Sequence, residues 1–150
     1  MHPIPGAPVT CAYGTHGHYW GGLRHRGIDF AAPVGTRVLC PWGGTVVGVG
    51  TWGRAFGAHS PVIDFDRLPD GSPGLWGILA HLDQVWVEPG DRVEAGDPVG
   101  TVGMLGQTTG PHLHFEVQAN RLWSPWYRRR DRDPRPWVTA MAPVEDRRDH

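Results

Sequence analysis

Turn residues interrupt this chain so often that only short strands fit between them. Runs such as "TRVLCPWGGTVVGVG", "PVIDFD", "LWGILAHL", "DRVEAGDPVGTVG" and "HLHFEV" are rich in β-branched and aromatic residues and are bounded by Gly, Pro or Asp. With 22 glycines and 15 prolines in 150 residues, little helix can form, and no long amphipathic helical period is visible. The expected class is therefore all-β. The stretch "LPDGSPG" (Leu68 to Gly74) carries turn chemistry between two strand candidates and reads as a hairpin. "EPGDRVEAGDPVGTVG" reads as a second. After Glu116 the pattern loosens, and residues 139–150 form a polar end without periodicity, expected to be a frayed tail.

A chain of this length with 39% hydrophobic residues and net charge -1 builds one domain with a single core. The balanced charge gives no general pull toward nucleic acid or anionic lipid, and in "YRRRDRDPR" alternating aspartates cancel much of the basic run. A nucleic-acid or membrane partner is not expected. No apolar run approaches the ~18 residues of a membrane span. "MHPIPGAPVT" lacks the basic and apolar regions of an export signal, so action outside the cytoplasm would need phage delivery or a removed leader. Cys11 and Cys40 show no C-x-x-C spacing and leave pairing open.

The stretch "GPHLHFEV" sets two histidines at alternate positions in a strand candidate. Successive strand side chains point to opposite faces, so His112, His114 and Glu116 share one face and Leu113, Phe115 and Val117 the other. The apolar set packs inward and the histidines are expected to point outward. In "HRGIDF", His25, Gly27 and Asp29 align in the same way if the segment is extended. Two imidazoles and a carboxylate are the ligand set of a catalytic zinc site that keeps a fourth position for water. Such chemistry also needs a base and an oxyanion donor that are not themselves ligands. One member of the H-x-H pair can supply a helper, and His81, at the end of a strand candidate in "LAHLDQV", a second. Glu116 either orients a ligand ring or pairs with an arginine.

The order and wording of these segments resemble the lysostaphin-type (LytM-like) zinc endopeptidases, which cut peptide bonds in bacterial cell-wall peptidoglycan. The likeness begins near "PVTCAYG", passes through "HRGIDFAAPVGTRVLCPWGGTVVGVG" and "ILAHLDQVWVEPGDRVEAGDPVGTVGMLGQTTGPHLHFEV", and closes around "DPRPWV". It thus defines a peptidase domain over residues 1–138. The resemblance implies one zinc per chain held by His25, Asp29 and His114, with His81 and His112 as catalytic histidines. It also implies a largely antiparallel β domain of the duplicated hybrid motif type, with an open active-site groove. The expected activity is hydrolysis of peptidoglycan cross-links by a monomer, as in a phage lysin or virion wall-cutting module. All basic residues are arginine, which suggests a GC-rich genome and hence direct D-alanyl–diaminopimelate links as the target. Two departures bear on substrate contacts: "YGTHGHYW" where a G-x-R is common, and Leu79 where a tyrosine often precedes "AHL". The second H-x-H, His16 and His18, lies among glycines and reads as a polar rim loop.

Residue type weighs against the competing readings. A biotinyl or lipoyl carrier needs a lysine, and the chain has none. A non-catalytic groove domain that binds wall or activates a partner would be expected to have lost ligands, whereas all five positions stand. No serine lies in G-x-S-x-G, and Cys40 precedes a proline rather than opening a helix.

Overall fold

The computed structural model describes residues 1–16, 24–119 and 130–140. Among the described residues, eleven strands and one short α-helix follow in order: β1 (Val9–Cys11), β2 (Gly27–Ala31), β3 (Arg37–Leu39), β4 (Gly44–Val49), β5 (Pro61–Phe65), β6 (Trp76–Ala80), β7 (Leu82–Val85), β8 (Arg92–Val93), β9 (Pro98–Val102), β10 (His112–Gln118), β11 (Asp131–Arg132) and α1 (Arg135–Thr139). The ladders among the described residues are all antiparallel, as the all-β reading expects. None of the described helices is long and apolar enough to cross a membrane.

The large sheet runs β1-β2-β10-β6-β5-β4-β8, and β11 pairs with β10 beyond the end of β2; β3-β9-β7 form a smaller sheet. Strand β10 is central. Its Leu113, Phe115 and Val117 are fully buried and join Ile28, Phe30 and Leu79 of the large sheet with Val38, Leu82, Val99 and Val102 of the small one in a single core. Truncating a side chain such as Phe115 to Ala in that core is expected to cost about 3–5 kcal/mol. Trp137 of α1 is buried in the same cluster, so the "DPRPWV" segment closes the core.

The other face of β10 is not solvated, which corrects the outward-pointing expectation. His114 and Glu116 are buried, and beside them a small cluster of Trp52, Phe56, Val62, Ile78 and Ala80 covers this side of the sheet. Strand alternation assigned the residues to faces. It could not tell that both faces are covered, because the covering side chains come from β5, β6 and the 3-10 turn Arg54–Phe56.

The β5–β6 hairpin forms as read, with Val62 opposite Ile78 and Asp64 opposite Trp76. Asp70 accepts bonds from the Ser72 backbone N–H and hydroxyl at the loop, at 2.9 and 2.6 Å. The second hairpin does not form: β8 pairs with β4 in the large sheet, while β9 pairs with β3 and β7 in the small one. The reason is a doubled turn. "EPGD" and "EAGD" each close on themselves, Asp91 N–H to Glu88 O at 3.1 Å and Asp97 N–H to Glu94 O at 3.0 Å, with Gly90 and Gly96 at positive φ. Two reversals so close together send the chain from one sheet to the other.

Candidate active site

Register brings the proposed ligands together. His114 on β10 stands opposite Asp29 on β2, and Asp29 opposite Cys11 on β1. Asp29 Oδ1 lies 2.8 Å from His114 Nδ1 and 3.3 Å from His25 Nε2, and the two ring nitrogens are 3.2 Å apart. Bonds of about 2 Å at tetrahedral angles separate ligand atoms by about 3.3 Å, so this triangle matches one face of a zinc tetrahedron. The donor set fits the metal.

The backbone makes room for it. A β-carbon on Gly27 would sit 2.4 Å from the Phe115 carbonyl oxygen and 2.7 Å from Cε1 of the His114 ring. Glycine between His25 and Asp29 leaves the space that the His114 imidazole occupies beside β2. Nearby, Tyr13 Oη donates to Asp131 at 2.7 Å, and Arg26 Nε lies 3.9 Å from the same carboxylate, tying the ends of β1 and β2 to β11.

Each ring of the triangle is oriented by its far nitrogen. His25 Nδ1 donates to the Ala12 carbonyl at 3.3 Å, which puts the lone pair on Nε2, the nitrogen that faces Asp29 and His114. His114 Nε2 donates to Glu116 Oε1 at 3.0 Å, and Gln118 Nε2 donates to Glu116 Oε2 at 2.6 Å. Of the two readings open for Glu116 in the sequence, the structure has the ring-orienting one. Gln118, fully buried, carries no sequence signal beyond sharing the strand face.

His81 and His112 stand beside the ligands, with ring centroids 4.9 Å apart. His81 follows the last residue of β6 at φ 68°, a left-handed conformation costly for a residue with a β-carbon and typical of functional sites. It is held there by its backbone N–H on Phe56 O at 2.8 Å and by Nδ1 on Leu105 O at 2.6 Å. His112 Nδ1 donates to Gly110 O at 2.9 Å, with Thr108 Oγ1 3.2 Å away. Both Nε2 atoms therefore carry lone pairs, and His112 Nε2 lies 3.7 Å from Asp29 Oδ1. The side chains of His112 and Asp29 keep 17% of their surface exposed, which is the access from solvent.

Environment separates these rings electrostatically. Burial would depress His114, but its bonds to Asp29 and Glu116 outweigh that and push it up to about 9. Burial would raise the Asp29 carboxyl, yet the bonds from His114 and His25 hold it well below the carboxylate range. His81 lacks a carboxylate partner; burial, then repulsion from His114, lowers it to about 4.

All five sequence candidates, His25, Asp29, His81, His112 and His114, thus lie in one cluster. His16 pairs by backbone bridge with Arg24, and His18 lies outside the described residues. His59 bonds Asp83 O at 2.6 Å, and the Ser60 hydroxyl is buried on Gly57 O at 2.7 Å. Sequence reasoning missed Cys11, whose sulfur, with donor atoms of His25 and Asp29, falls in a group all within 4.8 Å of one another. Only strand register brings it there.

The model of Peptidase family M23 matches residues 23–125, which include every member of the cluster except Cys11. The glycyl-glycine endopeptidase ALE-1 of Staphylococcus capitis is 32% identical over 130 residues, 87% of this chain and 33% of that protein. The peptidoglycan DD-endopeptidase ShyC of Vibrio cholerae is 34% identical over 98 residues, 65% of this chain and 21% of that protein. The chain thus spans a third or less of the length of these relatives. Among solved structures, the catalytic domain of lysostaphin from Staphylococcus simulans superposes with TM-score 0.73 at 28% identity, covering 91% of this chain and 96% of that one. A zinc-containing peptidase from Vibrio cholerae superposes with TM-score 0.69 at 26% identity, covering 95% and 40%. With its fold and the family match in agreement, this chain belongs to Peptidase family M23.

Proposed function

We propose that this chain is a zinc-dependent endopeptidase domain that hydrolyses peptide cross-links of bacterial peptidoglycan outside the cytoplasmic membrane, acting as a monomer. The observation that carries this is the triangle of His25 Nε2, Asp29 Oδ1 and His114 Nδ1 with two further imidazoles beside it, each presenting Nε2. Family membership and the zinc-containing structural neighbour support zinc as the cofactor. The names of the relatives support wall peptides as the substrate class.

His25, Asp29 and His114 would hold the metal. When bound, zinc supplies Lewis acidity, lowering the pKa of water and polarising the scissile carbonyl. His112, fixed through Nδ1 on Gly110, has Nε2 placed to accept the proton of the attacking water and to pass it to the leaving amine. His81 must itself be protonated before its Nε2 can donate to a developing oxyanion. Its depressed pKa makes it a ready proton donor once charged. The two thus divide one proton path.

The bond we assign is the D-alanyl–diaminopimelate link, on the arginine-only composition and the DD-endopeptidase relative. A phage lysin or virion wall-cutting module remains the setting expected from the sequence, and the genes flanking this one test it. For the activity itself, purified protein is added to a cell-wall suspension with and without chelator, and released muropeptides are identified by mass spectrometry. Lysis abolished by chelator and restored by zinc, with new D-alanyl ends, is expected. Binding to walls with no released peptide would overturn the reading in favour of a non-catalytic groove domain.

A further inference from the structure

Among the described residues, Cys11 is a metal donor beside His25 and Asp29 that the chemistry above leaves unused. It ends β1 directly opposite Asp29, which in turn stands opposite His114. A bulge between Val9 and Cys11 interrupts the β1–β2 ladder at this pair, so the donor atoms themselves place the thiol. The sulfur, a His25 ring nitrogen and an Asp29 oxygen all lie within 4.8 Å of one another. The other thiol shows the contrast. Cys40 is fully buried, with Sγ 3.0 Å from the Trp42 carbonyl, and the two cysteines are not bonded.

Two imidazoles and a carboxylate leave a zinc site open, whereas a fourth protein ligand closes it, and thiolate is a favoured zinc donor. We propose that Cys11 is a fourth, displaceable ligand of the metal, so that the resting site is a closed set of His25, Asp29, His114 and Cys11 that opens when the thiol withdraws or is capped. This rests on the ligand reading given above. On coordination the thiol proton passes to solvent and sulfur donates the freed electron pair to the metal, so no oxidant or reductant is required. Cys11 ends a three-residue strand at the edge of the large sheet and is partly exposed, so the thiol is open to a capping reagent.

Cobalt(II) in place of zinc reads the ligands directly, because a thiolate on cobalt gives a near-ultraviolet charge-transfer band that imidazole and carboxylate do not. The unmutated protein is expected to show this band. Cys11→Ser is expected to lose it while still taking up cobalt, as followed by the visible bands and by metal analysis. In parallel, alkylation of Cys11, located by peptide mapping, should be fast in metal-free protein and suppressed by bound zinc. That comparison uses the unmutated chain and decides the matter even if Cys11→Ser does not fold. Cobalt uptake without the thiolate band, or alkylation of Cys11 indifferent to metal, overturns the inference and leaves the three-ligand reading standing. Failure of the unmutated protein to take up cobalt at all sinks both.

Discussion

His81 and His114 lie in one site with ring centroids 6.1 Å apart, yet their surroundings drive them in opposite directions. Both are buried. His114 is gripped between two carboxylates, Asp29 on one ring nitrogen and Glu116 on the other, and is pushed up to about 9. His81 has a carbonyl on Nδ1 and falls to about 4. Burial penalises the charged ring in both cases, and only the carboxylates reverse its effect. Under the proposed reading, the contrast divides the site into a ligand half, where negative charge is stored for a cation, and a proton-handling half, where His81 rests neutral until it takes up a proton.

The largest test of that division removes one half at a time. His114→Ala and Asp29→Ala should lose both bound zinc and hydrolysis, whereas His112→Ala and His81→Ala should keep stoichiometric zinc and lose turnover by about 10²–10⁴-fold. Metal analysis with rate measurement on each purified variant checks this, and a zinc-replete, active His114→Ala protein would break the assignment. Next is the carboxylate behind His114. Glu116→Gln should weaken zinc binding by about 10–100-fold, read by competition with a chelator, with little effect on the proton-handling half. Equal loss of turnover at saturating zinc would show that the halves are not separable.

The pH dependence of zinc binding probes the same division. Without metal, His114 is raised above its usual 6.5, so its charged pairing with Asp29 is fully present below 6.5 and is lost as pH rises through about 9. Zinc must displace that proton. Its affinity should therefore climb by up to about tenfold per pH unit between those values and level off above them, with about one proton released per zinc from this ring at neutral pH. Calorimetry in buffers of differing ionisation enthalpy measures the release. A flat profile would mean that the carboxylates do not hold His114 charged.

Much of this site was legible because a strand has a period of two. His25 with Asp29, and His112 with His114 and Glu116, could be placed on common faces from spacing alone. Which partners those faces meet was not. The burial of Glu116 against His114 depends on the cluster around Phe56 and Ile78, the left-handed turn at His81 on carbonyls from distant loops, and the nearness of Cys11 on pairing between β1 and β2. The doubled "E-x-G-D" turn marks the same limit. Its turn chemistry is plain in the sequence, but the destination of the strand between the two reversals is not.

The sequence by itself determined the β class, the faces of the metal-bearing strands and the residue types that can hold zinc, because backbone alternation and donor chemistry are local properties. Only the tertiary structure decided which nitrogen of each ring points at the metal position, how far each pKa moves and that a thiol stands beside Asp29. Those depend on atoms contributed by strands far apart in the chain, at separations of a few ångströms that no local pattern encodes.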